Sequence, residues 1–435
     1  MTDVVDAYRA ALTGGELTEF PLTGYDRTGV PVLATVWDDG THDAHGVGYG
    51  STARAATIGA LGELAERVVL TRTVGRLEPR RASYRELVDD VGVDAVADPL
   101  TLVLPAGSPY TPDTPLVWLP MRRWRTGEPV WAPAEFVASD AGSLPPPPPG
   151  GWLTTAITNG LGAGDTLGRA VGIDPVVKLA STEFVTVVSC HGVDDDPAAP
   201  PMAIGAVGEA AHPDSDEAIR KALLEFASSR ARRVFAFGPL DRVRELHPGY
   251  LEAELRRPLG EQEPRALQEM TTWSGWDAAT TRAAVAPWFG RRTRVVDPGS
   301  LPRAAIGGPD ALLAHLLDRL AGFDVLVLAS DPADGGPHGI RTAKVLAPGL
   351  EVETLSYHRI GERVARRLLD RGSPLVGRGA PDGGDRMPVR VTAAAEERLG
   401  GPVWFDRAAA DATVGPLYSL YREPRRHAVG RLARD

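Results

Sequence analysis

The first residues along the chain whose types and spacing could do chemistry are Glu63, Glu66 and Arg67. At about 100° per residue they fall within one narrow arc of a helix, opposite an apolar side that includes Leu61 and Val68. Two carboxylates so placed can share a hard cation such as Mg²⁺, while the arginine holds a phosphate or orients a carboxylate. The same spacing occurs on solvated helix faces that carry an ordinary Glu–Arg pair, and taken alone it favours that interpretation.

A second polar stripe lies on the helix predicted from Ser215 to Arg233, which Asp214 or Ser215 would cap. Four of its side chains share one face: Lys221, Glu225, Ser228 and Arg232. Arg230 instead projects into the apolar arc, where a guanidinium requires a buried anionic partner. Two interpretations of Arg230 stay open at this point, a structural ion pair and a functional role.

Two glycine-rich segments stand near these helices. Gly46–Ser51 precedes the first helix, and Asn159–Thr166, which contains Asp165, follows a polyproline run at Pro145–Pro149. Backbone amides of a glycine-rich turn at a helix start can cradle a phosphate. Because the first segment has neither Walker nor Rossmann spacing, it is a weak indication when taken alone.

Histidine and cysteine offer little further chemistry. The nine histidines show no HxxxH or HExxH spacing, and His42–His45 fits a polar loop better than a metal corner. Cys190 ends an apolar run with no histidine beside it other than His191, its chain neighbour. We therefore expect Cys190 to be a small core residue rather than a nucleophile.

These residues need helices and strands to position them, and the hydrophobic pattern supplies both. Strand-like patterns cover residues 19–37, 175–179, 184–190, 325–328 and 342–346, and helical patterns cover residues 53–70, 215–233, 310–321 and 361–370. No internal repeat is found in the sequence. Strands and helices mixed in this order predict an α/β or α+β fold.

Composition narrows the function classes. The chain has 435 residues and a net charge of −10, an acidic balance that argues against nucleic acid and anionic membrane as partners. A single cysteine excludes an intramolecular disulfide and a cysteine-based zinc site. The first eleven residues lack the apolar core of a signal peptide, and no apolar run has the length of a membrane span. We expect an acidic cytoplasmic enzyme.

Four segments, in this order, resemble the YcaO family of ATP-dependent enzymes that modify peptide backbones. They are Gly48–Arg67, with a glycine-rich turn and a helix ending in ExxER; Thr158–Thr166, near S-N-G-x-A-x-G-N-T; Ala222–Arg230, near T-E-x-x-Q-S-R; and Lys344–Leu350, which ends in a V-x-x-P-G-L turn. The resemblance spans roughly residues 45–370, and the ordered set is more specific than any one of its parts.

The resemblance implies a fold of mixed sheets packed by helices around a nucleotide site, with ATP and Mg²⁺ as cofactors. Such enzymes phosphorylate a backbone amide oxygen after a nucleophile has added to the amide carbon, and phosphate then leaves. The implied products are azolines, thioamides or macroamidines on a ribosomally made precursor peptide. Carried over by position, the implied cofactor-binding residues are Ser51, Glu63, Glu66, Arg67, Asp165, Glu225 and Arg230, and the implied metal ligands are Glu63, Glu66 and Glu225. No catalytic residue is assigned.

The chain also departs from the family pattern. The second motif, Ser-x-x-Asn-x-x-x-Glu, aligns with Gly162, Asp165 and Arg169, and only Asp165 could still bind a cation. Relatives carry a helix with a second ExxER between the positions of Val171 and Gly172, and the sequence leaves open whether this segment is deleted or missing from the chain as written. The proline-rich tail of many azoline-forming members is absent too.

We divide the chain into an N-terminal segment (1–45), a YcaO-like domain (46–371) interrupted by the proline-rich loop 143–151, and a C-terminal extension (372–435). The predicted function is ATP- and Mg²⁺-dependent activation of backbone amides in a precursor peptide, by a standalone enzyme that forms an azoline or a macroamidine. The alternative is a catalytically silent scaffold that binds a peptide or a partner enzyme. A partner biosynthetic protein and homo-oligomerisation are left open.

Overall fold

The strands form four antiparallel sheets within residues 3–138, 173–290, 294–351 and 354–433, the ranges that the computed structural model describes. Their order is β1-β2-β3, β7-β8-β9, β11-β10-β5-β4 with β6 also paired to β5, and β12-β14-β13. The strands are β1 (Glu16–Pro21), β2 (Val32–Asp38), β3 (Asp43–Tyr49), β4 (Arg80–Ser83), β5 (Pro115–Arg123), β6 (Pro129–Pro133), β7 (Ile173–Ser181), β8 (Thr186–Asp194), β9 (Gly205–His212), β10 (Leu326–Ala329), β11 (Ala343–Leu346), β12 (Val376–Arg378), β13 (Arg386–Pro388) and β14 (Val403–Asp406).

The helices that pack on these sheets differ greatly in length, and two of them, α2 and α6, have 23 residues each. They are α1 (Val4–Ala11), α2 (Ala53–Gly75), α3 (Tyr84–Val91), α4 (Ala134–Val137), α5 (Pro201–Ile204), α6 (Ser215–Phe237), α7 (Leu240–Leu246), α8 (Pro248–Arg256), α9 (Pro264–Ser274), α10 (Ala278–Phe289), α11 (Pro309–Arg319), α12 (Glu362–Asp370), α13 (Ala393–Leu399), α14 (Arg407–Val414), α15 (Tyr418–Tyr421) and α16 (Ala428–Leu432). In the described ranges, no helix combines the length and the apolar character that crossing a bilayer requires.

The chain contains two structural units, each assembled from separate stretches of sequence. The first comprises Met1–Ala65, Gly160–Leu316 and Pro416–Asp435, and the second comprises Glu66–Asn159 and Leu317–Gly415. Helix α2 runs from the first unit into the second. The predicted division of the chain at residues 45 and 371 describes how far the family resemblance extends. The two structural units do not test it, so it stays a prediction.

Within the first unit, the same arrangement of three strands and a helix occurs twice. Strands β1, β2 and β3 form an antiparallel meander followed by α2, and β7, β8 and β9 form another followed by α6. In each copy the third strand carries a glycine that faces the helix, Gly46 in one and Gly208 in the other. A Cβ at Gly46 would lie 2.3 Å from the Ala60 carbonyl oxygen, and one at Gly208 would lie 2.1 Å from the Ala222 carbonyl oxygen.

The sequence hides this repeat because most of the paired positions differ in residue type. The positions that agree include the strand glycine, the small helix residue opposite it, and a glutamate about one turn further along the helix. Close packing of the two backbones explains why the glycine and the small residue opposite it agree.

The structure confirms the predicted α/β class and most of the predicted elements. Helix α6 is capped by Asp214, whose side chain accepts hydrogen bonds from the backbone N–H groups of Asp216 and Glu217. The glycine-rich segment before α2 is corrected: Gly46 and Gly48 lie in strand β3 rather than in a phosphate-binding turn, because the helix backbone packs against them. Strands β12–β14 and helices α13 and α14 form beyond residue 372, where the sequence showed mainly turns. The proline-rich loop and the Asn159–Thr166 turn lie outside the described residues.

Replacing Gly208 with alanine should destabilise the protein by about 1–3 kcal/mol, because the added methyl group would meet the backbone of α6 at Ala222 and Phe226. Urea unfolding of purified protein would measure the change. Gly249→Ala is the matched control, since a Cβ at Gly249 meets nothing within 4 Å, and it should change the free energy of unfolding by less than about 1 kcal/mol. Equal effects of the two substitutions would contradict the packing argument.

Candidate functional site

Glu63 is positioned by the packing of α2 on strand β3. Its Oε2 accepts a hydrogen bond of 2.9 Å from the backbone N–H of Val47, sixteen residues earlier in the chain. The glycines at 46 and 48 bring the helix close enough for a glutamate side chain to reach the strand backbone. Glu63 is therefore held beside the strand. The spacing of the residues, taken alone, favoured a position on an open helix face.

Glu225 has the corresponding position in the second copy of the repeat. Its Oε2 accepts a hydrogen bond of 2.9 Å from the backbone N–H of Glu209, again sixteen residues earlier. Burial raises the pKa of Glu225 to about 7, although the Glu209 N–H, Arg232 and Lys221 all lower it. A carboxyl group with such a pKa takes up a nearby cation readily, because the cation replaces the proton as its counter-charge.

Arg232 is a cation whose charged form both carboxylates favour. It follows Glu225 by seven residues, so it lies on the same face of α6 two turns further on. Its pKa is raised first by Glu423, then, against the opposing effect of burial, by Glu225 and Glu63. The structure thus brings Glu63, Glu225 and Arg232 into one electrostatic neighbourhood in the first unit. Sequence reasoning placed Arg232 on the stripe of Glu225 but left it out of the site.

Arg230 has a different environment from the residues of the stripe. Its guanidinium is fully buried and forms ion pairs with Asp26 at 2.7 Å and Asp194 at 2.6 Å. It also donates to the Ala203 carbonyl oxygen at 2.6 Å. All three of its nitrogens donate to protein acceptors, so this geometry favours the structural ion pair over contact with a cofactor.

The remaining predicted site residues are not part of this neighbourhood as described. Ser51 lies exposed in the turn before α2, next to Thr52, whose side chain accepts the N–H of Ala55 at the helix start. Glu66 and Arg67 belong to the second unit, where Glu66 favours the charged form of Lys344 although burial lowers the pKa of that lysine. Asp165 lies outside the described residues, as do Val171 and Gly172.

The metal assignment stays a prediction. Across the ranges that the structure describes, no group of three or more His, Cys, Asp or Glu side chains is arranged to hold a metal ion. The hairpin around His42–His45 is a polar cluster, in which His45 contacts Asp43 through Nε2 at 2.8 Å and Arg426 through Nδ1 at 3.0 Å. Cys190 is buried, and burial raises the pKa of its thiol to about 12, which fits a core residue.

Comparison with known proteins places the chain in a family. The model of the YcaO cyclodehydratase family, described as ATP- and Mg²⁺-binding, matches residues 47–172 and 169–351, which is more than half of the chain. The two matched parts meet at residues 169–172, where the sequence lacks a helix of the family pattern. The chain therefore belongs to the YcaO family. This confirms the resemblance, and the family description confirms ATP and Mg²⁺ as the expected cofactors.

Solved structures similar to this chain have low sequence identity to it. A heterocyclase in complex with substrate and cofactor has a TM-score of 0.54 and 13% identity, covering 85% of this chain and 55% of its own. YcaO from Methanopyrus kandleri, bound with AMPPCP and Mg²⁺, has a TM-score of 0.49 and 16% identity, covering 82% and 92%. The E. coli microcin synthetase McbBCD complex has a TM-score of 0.41 and 12% identity, covering 73% and 84%.

The heterocyclase shares the fold of this chain, but this chain spans only 55% of the heterocyclase length. A search of curated proteins finds no match.

Replacing Arg230 with methionine should destabilise the protein by about 3–5 kcal/mol, because Asp26 and Asp194 would be left buried without their cation. Arg220→Met on the same helix is the control. Arg220 pairs with Glu217 near the surface, so its loss should cost less than about 1 kcal/mol in urea unfolding. A normally stable Arg230→Met protein that fails to bind nucleotide would instead make Arg230 a cofactor-binding residue.

Glu225 should also make the stability of the metal-free protein depend on pH. Since its pKa is raised from 4.5 to about 7 in the folded state, the folded protein binds more protons than the unfolded chain between these values. The contribution of Glu225 to stability therefore falls as the pH rises through this window. The free energy of unfolding of Glu225→Gln, measured relative to that of wild type, should therefore rise by about 1–2 kcal/mol when the pH is raised from 5 to 8. This value allows for the partial exposure of the side chain.

Urea unfolding in the presence of a chelator at the two pH values measures this gain. Glu252→Gln, at an exposed ion pair with Arg244, should give no gain. A pH-independent difference between Glu225→Gln and wild type would show that the carboxyl group titrates normally.

Proposed function

We propose that this protein uses ATP and Mg²⁺ to activate backbone amides of a ribosomally synthesised precursor peptide, as a YcaO-type cyclodehydratase in natural product biosynthesis. The observation that carries the proposal is the family match across residues 47–351, which includes both glutamate-bearing helices. Glu63 and Glu225, one from each copy of the repeat, act on a common cation in the first unit. This arrangement is compatible with a site for a metal–nucleotide complex.

The residues present fit the cofactors chemically. Mg²⁺ prefers oxygen ligands and commonly binds through one or two carboxylates together with phosphate oxygens and water. Glu63 and Glu225 supply such carboxylates, each aligned by a strand N–H. Glu66 as a further metal ligand, and Ser51, Arg67 and Asp165 as nucleotide-binding residues, are proposed on the family resemblance alone.

Phosphoryl transfer from ATP requires that the negative charges of the phosphates be compensated. ATP and Mg²⁺, when bound, supply the phosphoryl group that makes the amide oxygen a leaving group and the positive charge that offsets the phosphates. This chain has two tasks in the reaction: to hold its carboxylates in fixed positions, and to keep other charged groups away from the reacting atoms. The backbone hydrogen bonds to Glu63 and Glu225 serve the first task, because they orient each carboxylate before any ligand arrives.

The finer part of the proposal concerns product and partners. We infer an azoline or a macroamidine as the product, formed in the cytoplasm when a side chain or an N-terminal amine of the peptide adds to the amide carbon and the oxygen, once phosphorylated, leaves as phosphate. A partner biosynthetic protein that presents the peptide fits this proposal. The heterocyclase was solved in complex with substrate and cofactor, and the microcin synthetase is itself a complex; both statements concern those proteins.

Glu63→Gln should abolish ATP-dependent peptide modification, with a loss on the order of 10² to 10³ in rate, while peptide binding changes little. Glutamine can still accept the hydrogen bond from Val47 but lacks the negative charge that a Mg²⁺ ligand provides. Phosphate release and the mass shift of the peptide, read beside a binding titration, measure both quantities.

Glu245→Gln is the matched control, because Glu245 is exposed and pairs with Arg242 on the surface. It should leave turnover unchanged. Equal turnover by Glu63→Gln and wild type would remove Glu63 from the metal site. A wild-type protein that binds a verified precursor peptide but neither hydrolyses ATP nor modifies the peptide would be the silent scaffold.

A further inference from the structure

Arg232 has a partly exposed side chain, and its ion pair with Glu423 is long. Its side chain is 42% exposed, and its ion pair with Glu423 joins Nη2 and Oε2 at 3.8 Å, beyond hydrogen-bonding distance. Within the described parts of the chain, this guanidinium makes no hydrogen bond. Five N–H donors in a planar fork match the oxygens of a phosphate group. Arg232 therefore has donors available for a phosphate-bearing ligand.

Glu423, in contrast, is fixed in place. Its Oε1 accepts a hydrogen bond of 3.0 Å from Nη1 of Arg233. The Arg233 side chain is 1% exposed, donates to the Ser419 carbonyl oxygen at 2.8 Å, and lies over the Trp273 ring at 4.9 Å. Because the buried Arg233 holds the Glu423 carboxylate through Nη1, which also donates to Ser419, this carboxylate has a partner that does not depend on Arg232.

The segment 416–433 that carries Glu423 is anchored along its length to the first unit. Arg422 forms an ion pair with Glu263, and the backbone N–H of His427 donates to the Ala236 carbonyl oxygen at 2.8 Å. These contacts are independent of Arg232. A ligand can therefore break the ion pair between Arg232 and Glu423 without releasing the segment.

We propose that Arg232 is a phosphate-binding residue for the nucleotide and that Glu423 is a built-in anion that occupies it until the nucleotide binds. This rests on the proposed function, because the competing ligand is the polyphosphate of ATP. Glu423 and the phosphates then compete for one guanidinium, while Glu63 and Glu225 lose Arg232 as counter-charge and are left to the metal ion. Arg232 would then donate to the phosphates, and Glu63 and Glu225 would be available as metal ligands.

The relative strengths of the contacts favour this exchange. A partly exposed ion pair without a hydrogen bond is weak, whereas a guanidinium that donates two hydrogen bonds to a phosphate group makes a strong charge-assisted contact. The Glu423 pair thus lowers nucleotide affinity by a small factor, while Arg232 compensates the charges of Glu63 and Glu225 before the nucleotide binds. The substitution Glu423→Gln should leave the fold intact, because the glutamine amide retains an oxygen that can accept the hydrogen bond from Arg233.

Titration of MgATP into wild type, Glu423→Gln, Arg232→Gln and the double variant tests the proposal. We expect Glu423→Gln to bind MgATP about two- to fivefold more tightly, and Arg232→Gln to bind about tenfold more weakly. In the Arg232→Gln background, the change at Glu423 should have no effect. Glu245→Gln is the control for general loss of negative charge, and thermal unfolding confirms that each protein is folded.

Four outcomes would overturn the inference. A similar gain from Glu423→Gln with and without Arg232 would be a general charge effect, and weaker binding would show that Glu423 positions Arg232 for the nucleotide. Equal affinity of all the proteins would remove Arg232 from the site while leaving the proposed function intact. If no protein, wild type included, binds MgATP, the proposed function fails, and the inference fails with it.

Discussion

The contact between the glycines of strands β3 and β9 and the backbones of α2 and α6 is the constraint on which the first unit depends. At Gly48 and Gly208 a methyl group would come within about 2 Å of helix backbone atoms, so neither strand tolerates a side chain there. This close approach lets a glutamate one turn along the helix reach a strand N–H. The same packing that builds the sheet-and-helix layers therefore aims the two carboxylates.

A buried ion-pair cluster links the two copies of the repeat. Arg230 on α6 joins Asp26, which follows the first strand, to Asp194, at the end of β8. Arg27 also pairs with Asp194, so two arginines and two aspartates share this position. Burying these charges is costly unless each is paired, so loss of one partner would leave an uncompensated buried charge between the two copies. Arg230 thus connects segments of the first unit that lie far apart in the sequence.

Charge compensation connects the fold to the function. Burial raises the pKa of Glu225, and Arg232 is a protein cation whose charged form both Glu63 and Glu225 favour. In the proposed function, a site for a divalent cation and a polyphosphate would contain excess acidic groups before these ligands bind. Glu423, on the segment 416–433, adds a carboxylate beside Arg232, so in that proposal the segment takes part in the electrostatics of the site as well as in the fold.

The sequence by itself determined the family, the α/β class and the helices that carry Glu63 and Glu225, because hydrophobic periodicity, the Asp214 cap and the ordered motifs are local signals. It also indicated that Arg230 required a buried partner. Only the tertiary structure decided which partner, since Asp26 and Asp194 are 204 and 36 residues away from it. The repeat, the strand position of Gly46 and Gly48, and the pairing of Arg232 with Glu423 were equally beyond a linear pattern. Each depends on contacts between distant segments, where few residue types are constrained and many are free to differ.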